Sequence, residues 1–200
     1  MATRDAVAGK IDAIVTPPLN KHNVSTDLRP FNGHTEYLAQ QAKSDHLMLL
    51  TSEDLRVALV TGHIALKDVS ARLSQALIID KITLLNQSLK QDFGIIKPRI
   101  AVLGLNPHAG ENGLLGIEET EIIIPAVDKA RNEKQILVFG PYPADGFFGS
   151  NQYKQFDGIL AMYHDQGLIP FKFMAFQDGV NFTAGMPFVR TSPDHGTAYD

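Results

Sequence analysis

Apolar residues in this chain follow two spacings, and the alternation between them predicts the fold. Short, mainly apolar runs fall at 11–15, 47–50, 56–60, 99–104, 136–139 and 158–162, each closed by polar or turn-forming residues. Runs of this length read as buried strands. The runs at 47–50 and 56–60 lie close enough to predict a hairpin about residues 51–55. Elsewhere the spacing widens. Leu73, Leu77, Ile82, Leu85 and Leu89 recur at helical intervals, predicting one helix over 69–93 with Gly94 at its C-cap. Shorter helices are expected before residue 11, over 36–43 with Asn32 or Thr35 as cap, and over 118–132 with a kink at Pro125. Strands alternating with helices define an α/β fold with a mixed sheet. There is no internal repeat, low-complexity segment or linker.

Segments that follow the strands are where polar chemistry gathers. Asn20 and Lys21 follow the Pro17-Pro18 pair, 106–113 follows one strand, and 140–145 forms a proline-stiffened loop after another. The stretch 163–190 reads as loop, rich in Gly and Pro, and carries His164, Asp165, Lys172, Asn181 and Arg190. Open α/β sheets bind ligands at the edge formed by strand C-termini. His34 and Thr35 stand at a predicted helix start, where free N–H groups suit an anion. His63, His108 and His164 each lie just past a predicted strand. Three neutral imidazoles at one sheet edge make a site for Zn²⁺ or a related ion with positions left for substrate. Their separations match no local zinc motif, so a hydrogen-bonded structural histidine is the competing reading at each position. Asp145 and Asp165 likewise read equally as turn-capping residues.

Composition narrows the chemistry further. With no cysteine there is no disulfide, thiolate metal site or cysteine nucleophile, so any transition-metal site uses His and carboxylates. A net charge of −4 gives no reason to expect nucleic acid or an anionic membrane as partner. The first ten residues lack the apolar core of a signal peptide, and no apolar run reaches membrane-spanning length; a cytoplasmic protein is expected.

Six segments together carry a resemblance. Thr16-Pro-Pro-Leu-Asn-Lys21, Gly33-His-Thr-Glu36, Asn106-Pro-His-Ala-Gly-Glu111, Gly140-Pro-Tyr-Pro-Ala-Asp145, Tyr163-His-Asp-Gln-Gly167 with Lys172, and Ser192-Pro-Asp-His-Gly-Thr-Ala198 resemble the 4-hydroxythreonine-4-phosphate dehydrogenase family of pyridoxal phosphate biosynthesis. The resemblance implies an α/β/α fold of isocitrate/isopropylmalate dehydrogenase type. Residues 1–200 would then be a partial catalytic region of a two-domain enzyme, truncated at both ends. Most of it would be the substrate and dimerisation domain, with part of the second domain.

The resemblance also assigns roles. His63, His108 and His164 hold a divalent metal (Zn, Mg or Co) in a cleft shared between the subunits of a homodimer. His34, Thr35, Lys172, Asn181 and Arg190 contact a phosphorylated hydroxy-amino acid. The implied reaction oxidises 4-phosphooxy-L-threonine with NAD or NADP and releases CO₂, giving 3-amino-2-oxopropyl phosphate. Lys172 is the candidate proton relay, and Asp145 and Asp165 orient the histidines or take part in acid/base work. His195 and Gly196 lie in the segment expected beside the nucleotide, although no G-x-G-x-x-G follows a strand. Three positions depart from the family pattern: Pro18 replaces a usual alanine, and Gly62 and Gly146 replace common threonines. They leave open a paralogue oxidising threonate or erythronate phosphate. An inactive metal- and phosphate-binding dimerisation fragment and a metal-assisted phosphohydrolase are the readings from other classes.

Overall fold

The computed structural model describes residues 2–18 and 34–194. Among these, eight strands form one sheet: β1 (Ala13–Val15), β2 (Leu47–Thr51), β3 (Arg56–Leu59), β4 (Arg99–Leu103), β5 (Leu137–Tyr142), β6 (Gly158–Ala161), β7 (Val180–Ala184) and β8 (Val189–Pro193). Their spatial order is β1-β8-β7-β2-β3-β6-β4-β5. The block β3-β6-β4-β5 is parallel throughout. The block β8-β7-β2-β3 is antiparallel, including the expected β2–β3 hairpin, and β1 joins β8 in parallel.

Parallel strands buried on both faces need apolar residues at every position. β4, β6 and β3 meet this requirement, with Ile100 to Leu103, Ile159 to Ala161 and Val57 to Leu59 all buried. One face packs against helices Gln75–Gln91 and Ile124–Lys134 through Ile78, Ile82, Leu85, Leu89, Ala126 and Ala130. The other is covered by Ala144–Gly149 and His164–Ala175 through Phe147, Leu168 and Phe171. The result is the α/β/α sandwich expected.

Several boundaries differ from the sequence pattern, each for a local reason. The helix expected over 69–93 is two, Val69–Arg72 and Gln75–Gln91. The break is made by Ser74, which is extended and accepts Leu77 N–H on its side chain, a preferred N-cap arrangement. The helix expected over 118–132 begins as a π-turn, Glu119–Ile123, and Pro125 sits in the first turn of the α-helix that follows. The first strand is shortened to Ala13–Val15, and the helix expected over 36–43 is His34–Ala42, so Thr35 lies inside it. Asn20, Lys21 and Asn32 lie outside the described residues.

The largest correction concerns 163–190, read as loop from its Gly and Pro content. It contains the helix His164–Ala175, strand β7 and the start of β8. Pro170 is accommodated within the helix, and Gly167 is there for close packing: a Cβ would lie 2.8 Å from Leu59 and 2.9 Å from Val57. Similarly, the loop expected over 140–145 is the end of β5, followed by Ala144–Gly149, which carries Asp145 on its first turn.

Candidate active site

The parallel block lines up the candidate ligands. His63, His164, His108 and Asp145 follow the C-terminal ends of β3, β6, β4 and β5, which is the order of those strands across the sheet. The β3–β6 ladder runs on beyond the strands, with Val60 N–H donating to Ala161 O at 2.8 Å and Thr61 N–H to Met162 O at 3.2 Å. The Thr61 hydroxyl donates to the same Met162 O at 2.7 Å. His63 and His164 each lie two residues past this last rung, so they arrive side by side with ring centres 5.3 Å apart. Two imidazoles sharing a tetrahedral ion at about 2.0–2.1 Å per bond have ring centres on the order of 5 Å apart. The donor set therefore suits an ion between these rings. His164 Nδ1 lies 2.7 Å from Asp165 Oδ1. A carboxylate on Nδ1 fixes the tautomer and leaves Nε2 for a metal.

His108 is delivered differently. Residues 108–112 all have positive φ, forming a left-handed turn in which only Gly110 is glycine. Each of the four other residues costs roughly 1–2 kcal/mol in that region. Two glutamates hold the segment just ahead of this turn. Glu119, 1% exposed, accepts Leu105 N–H and Asn106 N–H on Oε1, both at 2.7 Å, and Asn106 Nδ2 on Oε2 at 2.9 Å. Glu118 accepts from the same amide at 2.8 Å and from Ser70 Oγ at 2.5 Å; these side-chain bonds hold its carboxyl below the usual range. His108 lines a cavity of about 730 Å³ with Asp145, Tyr163, Asp165 and Gln166. His63 and His164 line a neighbouring cavity of about 310 Å³, and Tyr163 and Asp165 border both. Among the described residues of one chain, no three His, Asp or Glu side chains form a ready cluster for a metal.

The antiparallel block builds the other half of the site, a cleft of about 580 Å³ lined by His34, Thr35, His63, Asn181, Arg190 and Lys81 among others. Arg190, on β8, is 4% exposed. Its Nη1 donates to Thr35 Oγ1 and Thr183 Oγ1, both at 3.0 Å, and its Nη2 to Thr16 Oγ1 at 2.8 Å. Among the described residues Arg190 Nε and Asn181 Oδ1 are buried without a partner. Burial pulls the Arg190 pKa below its ordinary value, and the nearby Glu36 carboxylate opposes this. A guanidinium bonded to neutral hydroxyls keeps its positive charge within the cleft wall. His34 titrates below its ordinary value, first because it is partly buried and then because Arg190 repels its proton. Lys81, also shifted down by burial, donates to His46 O at 2.7 Å on the cleft wall.

The structure thus groups His34, Thr35, Asn181, Arg190 and His63, pairs His63 with His164, and sets His108 with Asp145 and Asp165. Lys172 borders none of these cavities; it donates to Asp194 O at 2.9 Å, with Asp194 Oδ1 at 3.5 Å. His195 and Gly196 lie outside the described residues. Residue patterns alone missed Thr16 and Thr183, which cradle Arg190, and Glu119, which shapes the His108 turn. Thr16 stood in a motif, but as a turn residue; nothing in the alternation of β7 singled out Thr183.

The sandwich, with its cleft at the strand ends, has the isocitrate/isopropylmalate dehydrogenase-like fold. Within that fold class the chain belongs to the pyridoxal phosphate biosynthetic protein PdxA family, whose family model matches residues 1–200. It is 58% identical over 194 residues to 4-hydroxythreonine-4-phosphate dehydrogenase of Bacteroides thetaiotaomicron, covering 96% of this chain and 53% of the relative. The enzyme of the same name from Desulforapulum autotrophicum is 53% identical, with 98% and 57% covered. The crystal structure of 4-hydroxythreonine-4-phosphate dehydrogenase from Klebsiella pneumoniae superposes with a TM-score of 0.89 at 46% identity, covering all of this chain and 60% of that one. A terephthalate 1,2-cis-dihydrodiol dehydrogenase from Burkholderia xenovorans superposes with a TM-score of 0.77 at 31% identity, covering 100% and 63%. The chain spans about half to three-fifths of the length of these relatives.

Proposed function

We propose that the chain forms the substrate-binding and dimerisation part of an NAD(P)- and divalent-metal-dependent 4-hydroxythreonine-4-phosphate dehydrogenase. It would convert 4-phosphooxy-L-threonine to 3-amino-2-oxopropyl phosphate and CO₂ in the cytoplasm. The observation that carries this reading is the placement of Arg190 and His63 on one cleft, an anion site beside a ligand for a cation.

Arg190, with Thr35, His34 and Asn181, receives the substrate's phosphate, whose charge answers the guanidinium. A neutral His34 donates or accepts a hydrogen bond there without adding charge. His63, His108 and His164 would hold the divalent ion, which when bound supplies Lewis acidity toward the substrate hydroxyl and the enolate left by decarboxylation. Asp165 keeps His164 in the metal-binding tautomer. Lys172, which in one chain is held by Asp194 outside these cavities, would be the proton relay, and NAD or NADP when bound would supply the hydride acceptor; the resemblance puts His195 and Gly196 in the segment toward that nucleotide. His108 lines a cavity that adjoins that of the His63–His164 pair, and the three-imidazole site would be completed between two copies. An apolar strip supports that pairing: Ile169, Phe173 and Phe176 are 67%, 90% and 73% exposed.

The test combines protein, 4-phosphooxy-L-threonine, a divalent ion and NAD or NADP, and follows absorbance of the reduced nucleotide. Reduced nucleotide supports the dehydrogenase. Inorganic phosphate without it overturns the reading in favour of a hydrolase, and tight binding without either product leaves a non-catalytic fragment. Faster turnover of threonate phosphate or erythronate phosphate would reassign the substrate to a sugar acid.

A further inference from the structure

We propose that Glu119 is a positioning residue for the metal site: its buried carboxylate folds the left-handed turn that presents His108. This rests on the reading of His108 as a ligand and adds a residue that never touches metal or substrate.

Three features of the structure point to this role. Glu119 satisfies two consecutive backbone donors, Leu105 and Asn106, immediately before the turn, and the Asn106 side chain as well. Among the described residues no salt bridge neutralises it. A fully buried carboxylate with three N–H donors and no cation is held there by the donors themselves, so its position and theirs are fixed together. The surrounding backbone is fitted to the carboxylate: a Cβ on Gly110 would lie 2.6 Å from Glu119 Oε2, and one on Gly116 would overlap the Asn106 amide.

The second feature is the π-turn Glu119–Ile123, whose extra residue per turn sets where Glu119 projects while Ile123 stays in the core. The third is a link to the other ligand element. Gln166, on the helix that begins at His164, donates to Gly104 O at 2.5 Å and accepts Met162 N–H at 2.7 Å. Gly104 O therefore faces the His164 helix, while the next two N–H groups face Glu119. The backbone at 104–106 is gripped from both sides, and the offset of His108 from His164 is set by that grip.

The test measures Zn²⁺ affinity by competition with a chromophoric chelator, together with amide exchange at Leu105 and Asn106. Glu119→Ala is expected to weaken zinc binding at least about tenfold, as loss of an outer ligand-orienting group does. Exchange at the two amides should speed up selectively. Glu119→Gln, whose carbonyl still accepts both backbone amides although its NH2 cannot accept from the Asn106 side chain, should bind zinc clearly more tightly than Glu119→Ala. A residue needed only for stability would lower the melting temperature without changing zinc affinity of the folded protein and without this rescue. Should Glu119→Ala fail to fold, Asn106→Ala removes one arm of the network, with an expected loss of about threefold or more. Unchanged zinc affinity in the variant that folds overturns the proposal. His108→Ala separates the two levels. If it keeps full affinity, the ligand assignment fails and the inference with it; if it loses zinc while Glu119→Ala does not, the inference alone fails.

Discussion

The two halves of the sheet prepare a site in opposite ways. The parallel block places its functional groups beyond the strands: His63 and His164 past the last ladder rung, the latter at a helix start, and His108 in a left-handed turn. The antiparallel block places Arg190 inside a strand, buried and held by three hydroxyls from three separate segments. Groups beyond strand ends can be re-aimed by rearranging a turn, which suits ligands that must converge on one ion. A charge embedded in a sheet cannot move, which suits a fixed anchor for one end of a substrate. If this division holds, damage to one block should leave the other's ligand affinity intact.

The largest effect is expected from Arg190→Met. Truncating a buried hydrogen-bonded charge typically removes about 2–5 kcal/mol of binding, so affinity for the phosphorylated substrate should fall about 30-fold or more. Zinc affinity should stay at the parent value, read by the same chelator competition. Loss of both together would mean that the two blocks form one cooperative site. A smaller effect is expected from Asp165→Asn, which disturbs the 2.7 Å contact to His164 Nδ1. Zinc affinity should fall about tenfold with phosphate-ligand affinity unchanged. Equal zinc binding would show that the carboxylate does not orient the ring.

The same division explains what was legible in the sequence. The parallel strands announced themselves as short, mainly apolar runs, and the histidines stood out because each follows such a run. Sequence order gave no hint that β6 lies between β3 and β4, so which rings meet had to come from topology. Arg190 was singled out in a segment taken for loop, and its three hydroxyl partners lie 7, 155 and 174 residues away, beyond any periodic pattern. The reading of 163–190 as loop failed because Gly and Pro were counted as breakers. Gly167 is a packing glycine that lets the helix approach Leu59 and Val57, and Pro170 lies within that helix. The π-turn that aims Glu119 has no sequence marker that periodicity reads, since Ile122 to Ile124 suits α and π winding alike.

The smallest expected effect is the most direct probe of how the anchor acts on its surroundings. His34 is held below its ordinary pKa of 6.5 by burial first and by the Arg190 charge second. Its imidazole should therefore be neutral at pH 7, with an NMR titration midpoint below 6.5. The unfolded chain takes up this proton first as pH falls, so His34 contributes stability that is present above about 6.5 and is lost as pH drops toward the folded-state midpoint. Arg190→Met removes the repulsion and leaves the burial, so the midpoint should rise part of the way and remain below 6.5. A doubly charged phosphate seated on Arg190 in the parent protein should raise it further, because an anion favours the imidazolium. An unmoved midpoint in both experiments would mean that the guanidinium and the imidazole do not share a cleft, and the strand-borne anchor would lose its nearest witness.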